Sequence, residues 1–328
     1  MHYRNLGRSD ISVSEIGFGT WGLGGDSYGA IDHKNAKELL RFAFNKGINF
    51  FDTSDLYGQG RCEELIGETF SKKEREDIII ATKGGTLPHS GYSMPQNFSK
   101  SYLENALNFS LKRLDTNYID IYHLHNPPQN LTNYEEIFDF FEGKKEENII
   151  CEYAISASSP FEAKNAIEEF DFPIVQFNFN LIDQRAIDCD LFSICESHRT
   201  GVIIRTPLNF GYLSGKLKGD ESFSDLDHRR KWPHSQRKKW SESHSLFETI
   251  ISEQNLTYVQ LALKYCLHPK AVSSVIPGMM NMTQIGENIL VSDLDPLSQK
   301  TLKKVRNVYM DSEIFGPLIS IEKPKDKL

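Results

Sequence analysis

The chain has 328 residues, of which 39% are hydrophobic and 11% aromatic, so it can bury a large core and is unlike a disordered sequence. Its 37 lysines and arginines against 45 aspartates and glutamates give a formal net charge of −8, which excludes a general attraction to nucleic acid or to an anionic membrane and favours a small-molecule ligand. No segment approaches the roughly 18 apolar residues of a membrane span, and the five scattered cysteines indicate reduced thiols in a cytoplasmic protein without a metal cluster.

Short apolar runs rich in Ile, Val and Phe recur along the chain and predict eight buried β-strands. They lie at residues 14–20, 48–54, 77–83, 118–125, 149–156, 174–180, 201–208 and 273–278. Between and after these runs, apolar residues repeat with helical spacing. The predicted helices lie at residues 35–47, 62–72, 101–115, 134–145, 160–170, 190–199, 244–267, 282–293 and 297–308. Because strand and helix alternate without a linker, we expect one domain over residues 1–328, folded as a parallel (β/α)8 TIM barrel with extra C-terminal helices.

Chemically capable side chains follow several of the predicted strands. In a barrel of this type the active site lies at the carboxyl ends of the strands, so these positions form one ring. The second strand ends in Asp52, with Tyr57 in the loop that follows; the third ends in Lys83, the fourth in His125, and the sixth carries Gln176. We expect Asp52 to pair with Lys83. A lysine ammonium beside a phenol favours the phenolate, so we also expect Lys83 to lower the pKa of Tyr57 toward the range of a general acid near neutral pH.

Five ordered blocks of sequence carry a family pattern. They are YRNLGRSDISVSEIGFGTWGLGG, FFDTSDLYGQGRCEELIGE, SLKRLDTNYIDIYHLHNP, PIVQFNFNLID and PLNFGYLSGKL. Together they resemble the aldo-keto reductase superfamily over nearly the whole chain. The resemblance implies a barrel with an N-terminal β-hairpin that binds a nicotinamide cofactor without a Rossmann domain. It also implies reduction of aldehydes or ketones, or oxidation of the corresponding alcohols or sugars.

The resemblance assigns roles to individual residues. The catalytic tetrad falls on Asp52, Tyr57, Lys83 and His125, with Tyr57 as general acid and base. His123 points to the same side of its strand as His125, but the family pattern places the catalytic histidine just before the proline-containing loop, which selects His125. The expected cofactor contacts are Gly19, Thr20, Trp21, Asp52, Ser156, Gln176, Arg205, Leu208, Gly211, Leu213, Ser214, Gly278, Gln284, Glu287 and Asn288. The expected substrate contacts are Trp21, Tyr57, His125 and Asn126.

Three positions depart from the family pattern. Ala157 stands where the family has an asparagine that holds the nicotinamide carboxamide. Arg205 stands where an aromatic residue commonly stacks on the nicotinamide, and a planar guanidinium can also stack. Met280 stands where an arginine binds the 2′-phosphate, so the cofactor is NADP(H) by resemblance but NAD(H) is the alternative unless another lysine or arginine substitutes.

Residues 216–245, called the insertion below, form the only long polar segment and follow the seventh predicted strand. A loop at that position lies at the active-site face of a barrel, which favours a lid over the active site or a clasp on the cofactor. A solvated loop is the alternative, and the acidic total disfavours a nucleic-acid surface. With the insertion, Trp21, Tyr28 and Tyr92 are candidates for the substrate pocket.

Two other functions fit the sequence. A low-turnover cofactor-binding sensor or subunit on the same barrel would account for Ala157 and Met280, whereas the complete tetrad favours a reductase. A barrel lyase would use Lys83 to form a Schiff base with its substrate. The sequence identifies neither the substrate nor the direction of the reaction.

Overall fold

A computed structural model describes residues 1–88 and 94–312, so Tyr92 lies outside the described residues. An antiparallel hairpin of β1 (Tyr3–Asn5) and β2 (Ser12–Ser14) precedes the main sheet. The strands of that sheet are β3 (Phe18–Gly19), β4 (Phe50–Asp52), β5 (Ile79–Gly84), β6 (Ile119–His125), β7 (Ile150–Ser156), β8 (Ile174–Asn178), β9 (Gly201–Arg205) and β10 (Val272–Val275). They lie side by side in chain order and pair in parallel, and all eight predicted strands are confirmed.

The first and last strands of the sheet meet and close it. Isolated parallel bridges join Ile16 to Val275 and Gly19 to Gly278. The backbone N–H of Gly17 donates to the carbonyl of Val275 at 2.9 Å. Because both edges of the sheet are paired with each other, the predicted (β/α)8 barrel is confirmed, together with its N-terminal hairpin.

Helices surround the sheet and extend beyond the last strand. They are α1 (His33–Asn45), α2 (Arg61–Thr69), α3 (Lys100–Arg113), α4 (Tyr134–Glu146), α5 (Pro160–Phe170), α6 (Arg185–Asp188), α7 (Leu191–His198), α8 (His234–Ser243), α9 (Glu248–Gln254), α10 (Tyr258–Leu267), α11 (Met282–Leu290) and α12 (Gln299–Asp311). The single helix predicted over residues 244–267 is wrong in part, because Asn255 has a left-handed backbone and Thr257 begins α10 with a capping box to Gln260. Helix α8 lies inside the insertion and was not predicted.

The interior of the barrel has an apolar floor below a polar upper layer. Phe50, Ile121, Ile174 and Ile203 belong to the inner apolar cluster. Successive side chains of a strand point to opposite faces, so positions two residues further along β4, β6 and β8 also point inward. At those positions the chain places buried polar residues rather than apolar ones. The floor therefore supports a polar layer at the carboxyl ends of the strands.

Within the described ranges, no helix has both the length and the apolar composition needed to cross a membrane. The same residues contain no group of three or more His, Cys, Asp or Glu side chains placed to hold a metal ion. All five cysteines are described and are free thiols.

Candidate active site

A buried ion pair joins neighbouring strands at the carboxyl end of the barrel. The Nζ of Lys83 donates to Oδ1 of Asp52 at 2.6 Å and to the carbonyl of Thr53 at 2.7 Å, and the Lys83 side chain is 0% exposed. Asp52 lies opposite Ala81, so Lys83 is two residues further along β5 and faces the same interior. Burial lowers the pKa of Lys83, whereas the attraction of Asp52 opposes that change. The expected pairing of Asp52 with Lys83 is present.

The second oxygen of Asp52 is held from the opposite side of the barrel. Gln176 Nε2 donates to Oδ2 of Asp52 at 2.7 Å, and the Ser156 hydroxyl donates to Oε1 of Gln176 at 2.9 Å. Ser156 and Gln176 are cross-strand neighbours on β7 and β8, and both are buried. A hydrogen-bonded chain from Ser156 to Lys83 therefore fixes the orientation of the Asp52 carboxylate.

Tyr57 and His125 lie next to this ion pair. The loop after β4 ends in a 3₁₀ turn, Tyr57–Gly60, which places the Tyr57 ring centroid 5.2 Å from Nζ of Lys83. The rings of Tyr57 and His125 are 5.9 Å apart and meet edge to face at 81°. The Ser54 hydroxyl lies 3.1 Å from Nδ1 of His125 and holds that ring. The structure thus brings together the four residues of the predicted tetrad.

The pKa of Tyr57 differs from the sequence-based expectation. Burial raises the pKa of Tyr57 well above its ordinary value, and the nearby Asp52 carboxylate raises it further. Arg205 is the cation that opposes this rise in the pKa of Tyr57. The prediction that Lys83 lowers the pKa of Tyr57 is wrong, because the Asp52 carboxylate at 2.6 Å neutralises the Lys83 charge and burial dominates.

His123 lies in a different environment from His125. It is 0% exposed and faces Lys83 across β5 and β6. Burial, and then the charge of Lys83, hold the pKa of His123 well below its ordinary value. Neither ring nitrogen of His123 has a hydrogen-bond partner in the part of the chain that the structure describes. His125, whose ring approaches Tyr57, has the better position for chemistry.

A cavity of about 420 Å³ opens beside Tyr57. The expected contact residues that line it are Gly19, Trp21, Asp52, Tyr57, Arg205, Leu208, Gly211, Ser214, Gly278, Gln284, Glu287 and Asn288. The expected site residues that do not line it are Thr20, Lys83, His125, Asn126, Ser156, Gln176 and Leu213. Leu213 belongs to the apolar core, and the Thr20 hydroxyl donates to the carbonyl of Asp52 at 2.9 Å, so both support the wall rather than form its surface.

Sequence reasoning missed part of this cavity. The lining residues that it did not name are Gly22, Thr206, Pro207, Phe210, Val259, Ile276 and Pro277. Tyr28, Met280 and the insertion, which contributes Lys216 and Arg229, are positions that the sequence already indicates. Some of the residues that it did not name could have been predicted from the sequence, because Thr206, Pro207 and Phe210 lie between expected cofactor contacts within residues 205–214. Lys216 and Arg229 come from the insertion, where no motif marks them.

The insertion crosses to the segment that follows β3, on the other side of the cavity. Tyr28 and Asp227 form an isolated antiparallel bridge, and the backbone N–H of His228 donates to the carbonyl of Ser27 at 2.9 Å. The Arg229 guanidinium lies 4.9 Å from the Tyr28 ring centroid and pairs with Asp227 at 2.6 Å. The insertion is therefore fastened across the site, and its role as a lid or a clasp stays a prediction.

Aromatic rings connect the insertion to the cavity wall. The ring centroids of Trp21 and His228 are 4.5 Å apart, those of Phe210 and Trp232 4.7 Å, and those of Trp232 and Trp240 4.8 Å. Burial lowers the pKa of His228 to about 4, so this ring is neutral near pH 7. Trp21 and Phe210 carry the apolar surface of this cluster into the cavity.

The far end of the cavity is polar. Lys216 pairs with Glu287 at 3.3 Å, and the backbone N–H of Met280 donates to Oε1 of Gln284 at 2.7 Å. The Met280 sulfur packs against Gly22, since a Cβ added to that glycine would lie 2.4 Å from it. Met280 thus gives the rim of the cavity an apolar surface. The cation at this end of the cavity is Lys216, which comes from the insertion.

Comparison with known proteins gives one consistent family. The profile of the aldo/keto reductase family matches residues 15–310. Uncharacterized oxidoreductase YqkF of Bacillus subtilis is 31% identical over 311 residues, covering 94% of this chain and 96% of that protein. A probable voltage-gated potassium channel subunit beta of Arabidopsis thaliana is 30% identical over 320 residues, with coverage of 90% and 93%. Aldo-keto reductase yakc of Schizosaccharomyces pombe, whose name specifies NADP(+), is 29% identical over 313 residues, with coverage of 93% and 91%.

A solved structure agrees with these relatives. The holo form of aldo-keto reductase AKR11C1 from Bacillus halodurans superimposes with a TM-score of 0.75 at 28% identity. The match covers 94% of this chain and 96% of that chain.

Proposed function

The chain belongs to the aldo/keto reductase family, and we propose on that premise that it is an NADP-dependent oxidoreductase for aldehydes or ketones, or for the corresponding alcohols or sugars. Tyr57 is its general acid and base. One observation carries the proposal: Tyr57 lines the cavity while its ring lies beside both the Asp52–Lys83 ion pair and His125. These are the groups that proton transfer to a carbonyl oxygen requires.

The cavity suits a nicotinamide dinucleotide. Its volume of about 420 Å³ lies within the range of ordinary ligand sites. Lys216 offers a cation for a phosphate group, and Nδ2 of Asn288 is a buried donor without a partner among the described residues. The aromatic surface of Trp21 and Phe210 suits a flat ring. When bound, the cofactor supplies hydride chemistry that no side chain can provide.

The residues around Tyr57 divide the remaining work. Because burial raises the pKa of Tyr57, the phenol is protonated near neutral pH and can donate its proton as charge develops on the carbonyl oxygen. The Arg205 guanidinium, whose charge opposes the rise in the pKa of Tyr57, favours the phenolate that remains, and the Lys83 ammonium lies 5.2 Å from the ring centre. Asp52 and Gln176 keep Lys83 in place. His125, whose ring is held by Ser54, orients the carbonyl group.

Two alternatives are distinguishable from a reductase. In a Schiff-base lyase the substrate carbonyl must reach Nζ of Lys83, but that atom is buried and already donates to Asp52 and Thr53. A low-turnover sensor or subunit is favoured by the similarity to a relative named as a channel β subunit, and by the altered positions Ala157 and Met280. Turnover itself separates that alternative from a reductase.

The first test is titration with NADPH and NADH, followed by quenching of tryptophan fluorescence. We expect tighter binding of NADPH and expect Lys216→Gln to weaken it by about tenfold, the size of one charge-assisted hydrogen bond. Lys218→Gln is the matched control, because Lys218 is an exposed neighbour outside the cavity lining. An equal loss of affinity for NADH in Lys216→Gln would contradict a 2′-phosphate contact.

The second test is Tyr57→Phe, assayed for reduction of a panel of aldehydes. Loss of the general acid should lower kcat by about 10²- to 10⁴-fold while the affinity for cofactor is retained. Wild-type rates in Tyr57→Phe would refute the mechanism. A wild-type protein that binds cofactor but reduces no carbonyl would establish the sensor alternative.

A further inference from the structure

Asp55 is a partly buried carboxyl group in the loop that leads to Tyr57, and the proposed mechanism gives it no part. The Ser54 hydroxyl oxygen lies 3.1 Å from Oδ1 of Asp55 and also 3.1 Å from Nδ1 of His125. Ser54 therefore connects this carboxyl group to the ring that orients the carbonyl in the proposed mechanism. We call the connected set Asp55–Ser54–His125 the relay.

The hydrogen bonds on the two sides of Ser54 depend on each other. A serine hydroxyl has one proton to donate and two lone pairs to accept with. One lone pair of Ser54 accepts from the backbone N–H of Leu56 at 3.1 Å. The carbonyl of Lys83 is a poor acceptor for the Ser54 proton, because it lies 3.5 Å away. Ser54 can therefore donate to one of its two partners in the relay only while it accepts from the other.

The relay has two arrangements that differ by one proton. In the first, protonated Asp55 donates to Ser54, Ser54 donates to Nδ1 of His125, and the ring carries its hydrogen on Nε2. In the second, ionised Asp55 accepts from Ser54, and Nδ1–H of His125 donates to Ser54, so Nε2 has a lone pair instead of a hydrogen.

The protons balance between these arrangements. The Asp55 proton passes to the Ser54 oxygen, the proton that Ser54 held passes to Nδ1, and the proton of Nε2 leaves to solvent. If His125 rather than Asp55 holds the additional proton before this release, both ring nitrogens carry hydrogen and Ser54 donates to the carboxylate. Nε2–H is thus present whichever of the two residues holds that proton, and its loss is a property of the coupled pair.

We propose that Asp55 is a positioning residue that acts through Ser54 to determine which ring nitrogen of His125 carries hydrogen. This inference rests on the proposed reductase function, in which His125 orients the carbonyl group. A carbonyl oxygen can accept a hydrogen bond from Nε2–H in the first arrangement, whereas in the second it meets a lone pair. Release of the proton therefore removes a donor that the transition state needs.

The surrounding groups set the pH at which the relay changes. Those that act on Asp55 are Tyr57 in the same loop, Glu63 on α2, Lys83 on β5, Tyr102 and Arg113 on α3, and Tyr122 on β6; those near His125 are Tyr57, His123 and, through Asn126, Arg205. Lys83 is paired with Asp52, and Nε of Arg113 donates to Glu63 at 2.6 Å.

These groups place the change near pH 7. Burial raises the pKa of each of the three tyrosines and lowers the pKa of His123, so none of these four titrates near pH 7. Burial, and then the Glu63 carboxylate, raise the pKa of Asp55 to about 7, while the hydrogen bond from Ser54 and the charge of Arg113 oppose that rise.

The kinetic test is the pH profile of kcat/KM for aldehyde reduction at saturating cofactor. The value for the wild type should fall about tenfold between pH 6 and pH 8, as the protonated fraction of a group with a pKa of about 7 does. Asp55→Asn cannot ionise and should lose this decrease. Glu63→Gln removes the charge that raises the pKa of Asp55 and should move the decrease to lower pH. A flat profile in the wild type, or an unchanged decrease in folded Asp55→Asn, would overturn the proposal.

Variants of Ser54 distinguish the relay from an effect of the Asp55 charge through space. Ser54→Ala leaves Asp55 able to ionise but breaks the connection to His125, so kcat/KM should no longer follow that ionisation. Ser54→Thr keeps the hydroxyl and should retain the decrease. Thermal unfolding and cofactor titration show whether each variant is folded. If Ser54→Ala retains the decrease of the wild type, Asp55 acts through space and the relay is wrong.

A spectroscopic measurement separates failure of this inference from failure of the proposed function. In protein labelled with ¹⁵N-histidine, nuclear magnetic resonance shows which ring nitrogen carries hydrogen, and comparison with His125→Asn assigns His125 among the 10 histidines. Wild-type His125 should carry hydrogen on Nε2 at pH 6 and on Nδ1 alone at pH 8, and Asp55→Asn should abolish the change. If this change occurs but no carbonyl is reduced, the reductase function fails and the relay stands. If carbonyls are reduced but Nε2 of His125 keeps its hydrogen at pH 8, the relay fails and the reductase stands.

Discussion

Replacing Lys83 by methionine should destabilise the barrel and abolish activity together. The change removes the cation of the ion pair but leaves the Asp52 carboxylate, whose side chain is 3% exposed. Asp52 keeps the hydrogen bond from Gln176 at 2.7 Å, which is a neutral donor and does not compensate the charge. The variant therefore contains an unpaired buried anion beside Tyr57.

The expected size of the effect follows from this burial. Removing one partner of a buried ion pair costs about 3 to 5 kcal/mol of unfolding free energy. An unfolding entropy of about 2.1 cal/mol/K per residue over 328 residues converts this into a decrease of about 4 to 7 °C in Tm. Lys34→Met is the matched control. The Lys34 side chain is 87% exposed, and its ion pair with Glu38 is long, at 3.9 Å, so it contributes little to stability. The Tm of this variant should differ from that of the wild type by about 1 °C or less.

A double substitution separates stability from catalysis. In Lys83→Met/Asp52→Asn both charges are removed while an oxygen remains to accept from Gln176, so most of the lost Tm should return. Turnover should not return, because the ion pair beside the Tyr57 ring is lost. Thermal unfolding and aldehyde reduction are measured on both variants. A Lys83→Met protein with the Tm of the wild type would refute the buried pair, and a double variant with wild-type turnover would refute its role beside Tyr57.

Three further predictions follow from contacts near and away from the site. Ser54→Ala removes the contact of 3.1 Å to Nδ1 of His125 and should lower kcat/KM about threefold to tenfold at unchanged cofactor affinity; unaltered kinetics would exclude a positioning role for Ser54. Burial, with Glu63 next, raises the pKa of Asp55 to about 7, so the folded protein keeps a proton that the unfolded chain releases near pH 4. As the pH rises from about 4 to about 7, the Tm of the wild type should therefore decrease relative to that of Asp55→Asn. Tm curves that run parallel for the two proteins over this range would contradict this pKa. Gly143→Ala should raise Tm by about 1 °C, because no atom lies within 4 Å of the added Cβ in α4. Gly67→Ala should lower Tm, because the added Cβ in α2 would lie 2.6 Å from the carbonyl of Arg113. An equal change of Tm in both variants would contradict the packing around α2.

The barrel was predictable because its strands are buried on both faces. Such strands appear in sequence as short continuous apolar runs, and all eight runs correspond to strands of the sheet. The error over residues 244–267 had a visible signal, since Thr257 and Gln260 have the spacing of a capping box within an otherwise continuous amphipathic pattern. Helix α8 had no comparable signal, because its Trp240 packs against rings that are distant in sequence.

The candidate site was predictable in its positions but not in its electrostatics. Strand order alone places Asp52, Lys83 and His125 at one end of a barrel, and the structure brings them together. Which cation influences Tyr57 depends on distances between loops and on how each charge is already paired. From the sequence, Lys83 and Arg205 are equally good candidates for the cation that acts on Tyr57. Only the structure shows that the charge of Lys83 is neutralised by Asp52, which leaves Arg205.

Two of the three departures from the family pattern are in contact with each other. Arg205 donates to the carbonyl of Ala157, so the position that lacks the asparagine is the position that holds the guanidinium. Considered separately, each departure indicates a weakened cofactor site and favours a sensor. Considered together, they replace an amide and an aromatic ring by one guanidinium that is held in a defined orientation. The joint change therefore favours a rebuilt cofactor site over a weakened one, and turnover of carbonyl compounds by the wild-type protein is the quantity that decides between a reductase and a sensor.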